Sequence, residues 1–241
     1  VGLSDNYVFQ KVMEDDELCS EILERILDVK LSKIEKVTTE KVIEDIYMSK
    51  GIRVDAYVCD GKGTVYDIEA QTSDIKDYIA KLVRYYQSCI DMNLLLKGSK
   101  YKKLKDVYII FICNFDPIGL KYSQYKFKTI DVENHSIVLD DGRTIIFLNS
   151  RGKDQNLNQG LKNILELFNG NKVAGDELID RLDAAVKRIK GREGCYMEWA
   201  RTQADLQDQY RFGKADGIAE GEAKATENML NIAQALREGK S

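Results

Sequence analysis

Seven consecutive residues, Val107-Tyr108-Ile109-Ile110-Phe111-Ile112-Cys113, form the longest uninterrupted apolar run of the 241-residue chain. The run is β-branched and aromatic and is bounded by polar segments. It reads as a strand buried on both faces, which requires cover on each side of a sheet. It is far short of the roughly 20 residues needed to span a bilayer, so no membrane association is expected. Ahead of it, residues 52–58 alternate with period two, Asp60-Gly61-Lys62-Gly63 supplies turn residues, and residues 64–71 alternate again, which predicts a β-hairpin. From Thr72 or Ser73 as cap, Ile75, Tyr78, Ile79, Leu82, Tyr86, Cys89 and Asn93 recur at helical spacing up to Gly98, so one long helix follows the hairpin.

The remaining elements fit around these. Leu18, Ile22 and Ile26, with Leu23 and Leu27 beside them, mark an opening core-facing helix capped by Asp15 or Asp16. Residues 126–130 and 143–148 are candidate strands, and residues 155–169 and 175–190 read as helices. A composition of 44% hydrophobic and 32% charged residues supports a sizeable core. The order predicts one mixed αβα sandwich over residues 1–190 and a helical C-terminal extension over 191–241. In that extension Gly213, Gly217 and Gly221 recur every four residues, then Ala225, Met229, Ile232 and Leu236 form a short amphipathic seam. The seam suits a packed C-terminal helix or a coiled-coil segment that forms a homo-oligomer.

Lys and Arg number 36 against 40 Asp and Glu, a formal net charge of −4. Mild acidity speaks against a globally basic chain, but net charge is silent on where charges lie. Residues 97–128 hold eight lysines against Asp106 and Asp116, a net of +6, while residues 1–24 hold seven acids against Lys11, a net of −6. Cysteines at 19, 59, 89, 113 and 195 are odd in number and include no C-x-x-C pair. They fit a reducing cytoplasm better than a disulfide framework or a thiolate zinc site. His135, the only histidine, reads as a loop residue, so any His-dependent triad would rest on it alone. No G-x-x-x-x-G-K-[ST] loop is present, which speaks against an ATP-driven enzyme. No signal segment opens the chain, and its ends, Val1 rather than Met and Glu238-Gly239-Lys240-Ser241, have the look of trimming.

Turn geometry places the acidic residues. With Gly61-Lys62-Gly63 as a three-residue loop holding a glycine in the left-handed region, Asp60 faces Thr64 and Asp55 lies opposite Glu69. Opposite residues share a face, and period two adds Arg53, Tyr57, Asp67 and Gln71 to it, leaving Val54, Ala56, Val58, Ile68 and Ala70 on the other. Three carboxylates then meet on one hairpin and repel unless a cation compensates. Two carboxylates and a backbone carbonyl, here that of Ala70, suit Mg²⁺ or Mn²⁺, an ion that activates water and offsets charge on a phosphodiester. A solvated polar face of an edge hairpin, with Arg53 pairing Asp55 or Asp67, yields the same alternation.

Asp55, followed fourteen positions later by Glu69-Ala70-Gln71, resembles the D…(D/E)-x-K motif of the PD-(D/E)XK nuclease superfamily, with Gln71 where lysine is usual. A longer ordered set is similar to the recombination-promoting nuclease (Rpn) family, also labelled PD-(D/E)XK family transposases. It comprises Arg53-Val54-Asp55, Asp67-Ile68-Glu69-Ala70-Gln71, Arg84-Tyr85-Tyr86-Gln87-Ser88, Leu96-Lys97-Gly98, Tyr101-Lys102-Lys103-Leu104 and the 107–113 run. It continues through Asn114-Phe115-Asp116-Pro117, Ile146-Phe147-Leu148-Asn149 and the glycine-repeat tail. The resemblance implies a restriction-endonuclease-like αβα fold and a metal-dependent DNA endonuclease that promotes recombination or transposition.

Under that resemblance Asp55, Glu69 and the Ala70 carbonyl would hold Mg²⁺ or Mn²⁺, and Gln71 would stand beside the attacking water. A glutamine amide orients water and donates to a phosphate oxygen, but it cannot carry a proton as a base. Many members of the family resemble this chain in having glutamine there. Asp5, within Ser4-Asp5-Asn6-Tyr7-Val8-Phe9, resembles the acidic residue that the family's first helix directs at the site, and is equally placed as a helix N-cap. Lys97, Lys100, Lys102, Lys103 and Lys105 flank Tyr101, a cluster suited to a DNA backbone or to a solvated loop. Arg84 is suited to a phosphate or to a helix-surface ion pair. Two rivals remain: a catalytically silent DNA-binding or protein-interaction module on the nuclease fold, and a DDE-type transposase with carboxylates spread over a different fold.

Overall fold

The computed structural model describes residues 2–43, 51–153 and 157–191. The expected C-terminal extension, its seam and Cys195 lie outside these residues. The chain divides into two compact units, Val1–Ile189 and Lys190–Ser241, and the elements below build the first.

Two short helices open the unit, α1 (Asn6–Met13) and α2 (Asp16–Leu27), followed by strands β1 (Ile34–Ile43), β2 (Ile52–Asp60) and β3 (Val65–Gln71). Helix α3 (Ile79–Leu94) crosses to β4 (Val107–Cys113), then come β5 (Gln124–Phe127), β6 (Arg143–Asn149), α4 (Gln159–Phe168) and α5 (Glu177–Lys190). The six strands form one mixed sheet in the order β1-β2-β3-β4-β6-β5. β3, β4 and β6 are parallel and the other pairings antiparallel. The αβα sandwich expected from the 107–113 run is present: Ile109, Ile110, Phe111 and Ile112 are all buried whichever face they take. Val83 and Ile90 of α3 pack with Ile109, Phe111 and Phe147 on one face. Ile68, Ile110, Ile112, Ile146 and Leu148 are buried on the opposite one, the side left for the remaining helices.

Local chemistry explains most boundaries. Asp15 caps α2 by accepting from Glu17 N and Leu18 N. Gly63 takes φ +80° in the hairpin turn, and Asp60 N donates to Thr64 O, so the three-residue loop closes as expected. Asp60 also accepts from Lys62 N and Thr64 N at 2.9 Å and from the Tyr66 hydroxyl. Burial opposes its charge, but these donors outweigh it and its pKa lies below the usual carboxylate value.

Three expectations change. Helix α3 starts at Ile79, not at a Thr72 or Ser73 cap, because residues 72–78 form a turn that drops Ile75 into the core and leaves Asp74, Lys76 and Asp77 exposed. The strand expected at 126–130 is β5, ending at Phe127, with Ile130 in an isolated bridge to Val138. β1 has no counterpart in the pattern analysis. Its residues are largely polar because it is an edge strand, and a bulge near Lys36 breaks their alternation.

The helical layer beyond the sheet is tied by Asp176. Arg25 of α2 donates to both its oxygens, at 2.6 and 2.7 Å, Asn163 of α4 at 2.7 Å, and Leu178 N and Ile179 N of α5 at 3.1 and 3.3 Å. The Arg25 guanidinium foremost holds the Asp176 carboxyl well below the ordinary range. A depressed folded-state pKa contributes stability that is complete above the unfolded value near 3.9 and is lost as pH falls below it. Asp176→Ala is expected to destabilise the protein by about 3 kcal/mol at pH 7. In urea unfolding compared at pH 7 and pH 3, that gap should shrink at the lower pH; an undiminished gap would show that the charge on Asp176 is irrelevant.

Candidate active site

At one end of the sheet β2 and β3 part. Their paired register runs from Cys59–Val65 to Ala56–Ile68. Beyond that point β2 stays with β1, through Val54–Lys41 to Ile52–Ile43, and β3 stays with β4, through Glu69–Phe111 to Gln71–Cys113. Side chains bridge the resulting fork. Asp55 N donates to Glu69 Oε1 at 2.9 Å, and Ala70 N donates to Asp55 Oδ2 at 3.0 Å. Asp55 and Glu69 therefore stand opposite one another, as the turn arithmetic requires, each orienting the other's backbone.

The bland reading of this face does not hold. Asp55, Asp67 and Glu69 are all buried, and Arg53 pairs with Glu40 on β1 rather than with Asp55 or Asp67. Among the described residues no N–H or hydroxyl donates to either buried Asp67 oxygen, and the group beside them is the Glu69 carboxyl, which can bond to Asp67 only while one of the two acids holds a proton. Burial pushes all three acids up: Asp55 despite the Ala70 N–H and Gln10, Asp67 to about 8, and Glu69 further raised by the neighbouring Asp67 and Asp55 charges. Among the described residues no ion pair reaches any of them.

Two helices supply neighbours. Gln10 of α1 is buried and donates from Nε2 to Asp55 Oδ1 at 2.9 Å. Sequence reasoning missed it, although a lone glutamine between Tyr7 and Met13 in an otherwise apolar helix stripe is a readable signal. Asp5 is the α1 N-cap, accepting from Val8 N at 3.3 Å, and Gln10 further along α1 reaches Asp55. Tyr86 of α3 donates to Arg53 O at 3.3 Å, and burial and then the three carboxylates push its phenol up. Gln71 lies at the end of β3, half-buried, with Nε2 donating to Ser73 O at 2.9 Å.

The basic candidates separate. Arg84 is exposed on the second turn of α3, whose first turn follows the carboxylate end of β3. Lys97, Lys100, Lys102 and Lys103 belong to the segment between α3 and β4, at the hairpin-turn end of the sheet. Lys105 Nζ donates to Lys62 O, and Val107 pairs with Val65. Four strand residues, about 13 Å, separate Val65 from Glu69. The structure thus brings Asp55, Glu69, Ala70 and Gln71 together and leaves the four lysines at the other end.

Among the described residues no group of three or more His, Cys, Asp or Glu is placed to hold a metal by itself. The donors nonetheless fit a hard cation. Mg²⁺ is commonly held by one or two carboxylates with water and phosphate completing its shell, and the all-oxygen pair crowded by a third buried acid, Asp67, is short of positive charge. A raised carboxyl pKa means that the folded state holds a proton the unfolded chain has released, so without divalent ions stability should fall as pH rises from about 4 towards 8. Asp67→Asn removes one such group. Its advantage over the wild type in urea unfolding is expected to grow between pH 5 and pH 8, reaching roughly 1–3 kcal/mol; a pH-independent difference would mean that Asp67 does not titrate there.

Among the described residues no helix is long and apolar enough to cross a membrane, and Cys19, Cys59, Cys89 and Cys113 are free thiols. No curated protein and no solved structure matches the chain. Residues 4–166 match the PD-(D/E)XK nuclease family transposases, a span that includes the fork, both motif strands and the crossover to β4. Together with the mixed sheet and its paired acids, this establishes that the chain belongs to the PD-(D/E)XK nuclease family transposases.

Proposed function

We propose that this protein is a divalent-metal-dependent DNA endonuclease, using Mg²⁺ or Mn²⁺, that acts in recombination or transposition in the cytoplasm. The observation that carries the reading is the pair of buried carboxylates facing each other across the β2/β3 fork, which no basic group pairs among the described residues. Asp55 and Glu69, with the Ala70 carbonyl, are the residues that would hold the ion. When bound, the ion supplies charge neutralisation at the phosphodiester and an acidified water.

The chain's own groups do the positioning. Ala70 N–H and Gln10 fix the Asp55 carboxylate, and Asp55 N–H fixes that of Glu69, so neither must reorganise when a cation arrives. Gln71 donates to a phosphate oxygen or orients water, and proton removal falls to solvent or to the substrate because an amide has no basic pKa. Asp5 acts by capping α1 and so setting the helix that carries Gln10. The silent-module alternative draws on one observation: the Gln71 amide already donates to Ser73 O.

Supercoiled plasmid nicking separates these readings. Cleavage should require Mg²⁺ or Mn²⁺ and stop in chelator, with Asp55→Ala and Glu69→Ala each reducing it by about 100-fold or more and Gln71→Ala by about 10-fold. Mg²⁺ should also raise the melting temperature of the wild type but not of Glu69→Ala. Equal nicking by all four proteins would overturn the enzymatic reading.

A further inference from the structure

Resting on the nuclease reading, we propose that Lys121, Arg151 and Lys153 form a phosphate-binding wall at the carboxylate end of the sheet, and that this wall, rather than the 97–105 lysine segment, aligns DNA at the site. The fold divides the basic 97–128 stretch. Its first five lysines lie at the hairpin-turn end, whereas β4 carries the chain to the other end, where Lys121 follows.

Register sets the levels. Gln71 pairs with Cys113 and Cys113 with Asn149, so the chain leaving β6 emerges two strands from β3, about 10 Å across the sheet. That spacing is on the order of three base-pair rises of 3.4 Å, within reach of phosphates flanking one bound between Asp55 and Glu69.

The wall is built rather than incidental. Lys153 N donates to Lys121 O at 3.0 Å and Asn149 N to Ser123 O at 2.9 Å, binding the loop after β6 to the loop before β5. A Cβ at Gly152 would lie 2.4 Å from the Ser123 Cα, so only glycine permits this approach. Asp116, the acid within the loop, is consumed by it: Ile118 N, Gly119 N, Lys121 N and the Tyr125 hydroxyl all donate to its carboxylate. Lys121, Arg151 and Lys153 are exposed, and no ion pair among the described residues engages them. Leu120 and Tyr122, both exposed, flank Lys121 and put apolar surface beside the cations. Three cations that no described residue pairs, on backbone tied by these hydrogen bonds at the same end of the sheet as the buried acids, are what a polyanion needs to approach carboxylates that would otherwise repel it.

Fluorescence anisotropy of a labelled DNA duplex with the full chain in chelator measures binding without cleavage. The triple variant Lys121→Ala/Arg151→Ala/Lys153→Ala should bind at least about 10-fold more weakly, with the slope of log affinity against log salt reduced by about 2–3. Lys100→Ala/Lys102→Ala/Lys103→Ala should change affinity by less than about 2-fold. Circular dichroism and melting should be unchanged in both, since every truncated side chain is exposed. The reverse order of effects, equal effects, a wall variant that binds like the wild type, or no measurable binding by the wild type would overturn the proposal. Loss of binding in the wall variant without nicking by the wild type under any metal would instead leave the wall standing and remove the nuclease reading.

Discussion

The parallel pairing of β3 with β4 constrains nearly everything else in this fold. Parallel neighbours need a crossover, supplied by α3, and a sheet built this way buries both faces. The ladder from Val65–Val107 to Gln71–Cys113 then fixes what lies at each end. Turn residues and the 97–105 lysines gather at the amino end of β3. The motif acids, Gln71 and the loops after β4 and β6 gather at the carboxyl end, where open sheets with parallel strands place their ligands. The antiparallel partner β2 completes the arrangement by leaving β3 at Ala56–Ile68, which opens the fork that Asp55 and Glu69 span.

Within that frame the carboxylates work against stability. Three buried acids that no cation pairs among the described residues cost more than apolar residues in the same positions, and the neighbour that Asp67 faces is another acid, Glu69. Elsewhere the molecule satisfies its acids thoroughly: Asp60 organises the hairpin turn, Asp116 the loop before β5, and Asp176 the junction of α2, α4 and α5. The chain supports its acids this well at three structural positions and leaves three others short of charge, and the proposed active site rests on that contrast.

Parts of this were legible in the sequence for identifiable reasons. The 107–113 run reads as a doubly buried strand from its length and β-branched content, and a three-residue turn at Gly61-Lys62-Gly63 sets Asp55 opposite Glu69. What failed depended on neighbours distant in the chain. β1 is polar because it is an edge, α3 starts late because Ile75 is claimed by the core, and Gln10 matters only because the fold sets α1 against Asp55, 45 residues later in the chain. The lysines near Tyr101 follow the motif closely in sequence, yet a crossover helix runs antiparallel to its strands and delivers its far end to the opposite end of the sheet.

Sequence by itself therefore determined the motif hairpin and its register, the doubly buried strand after it, the family resemblance and the identity of the facing acids, since each rests on short-range patterns or turn geometry. Only the tertiary structure decided that this face is buried rather than solvated, that Arg53 is taken by Glu40, and that Lys121, Arg151 and Lys153 rather than the 97–105 lysines share the carboxylate end. Burial and charge pairing are sums over residues brought together by the whole sheet, and period two along one strand cannot report which elements cover it.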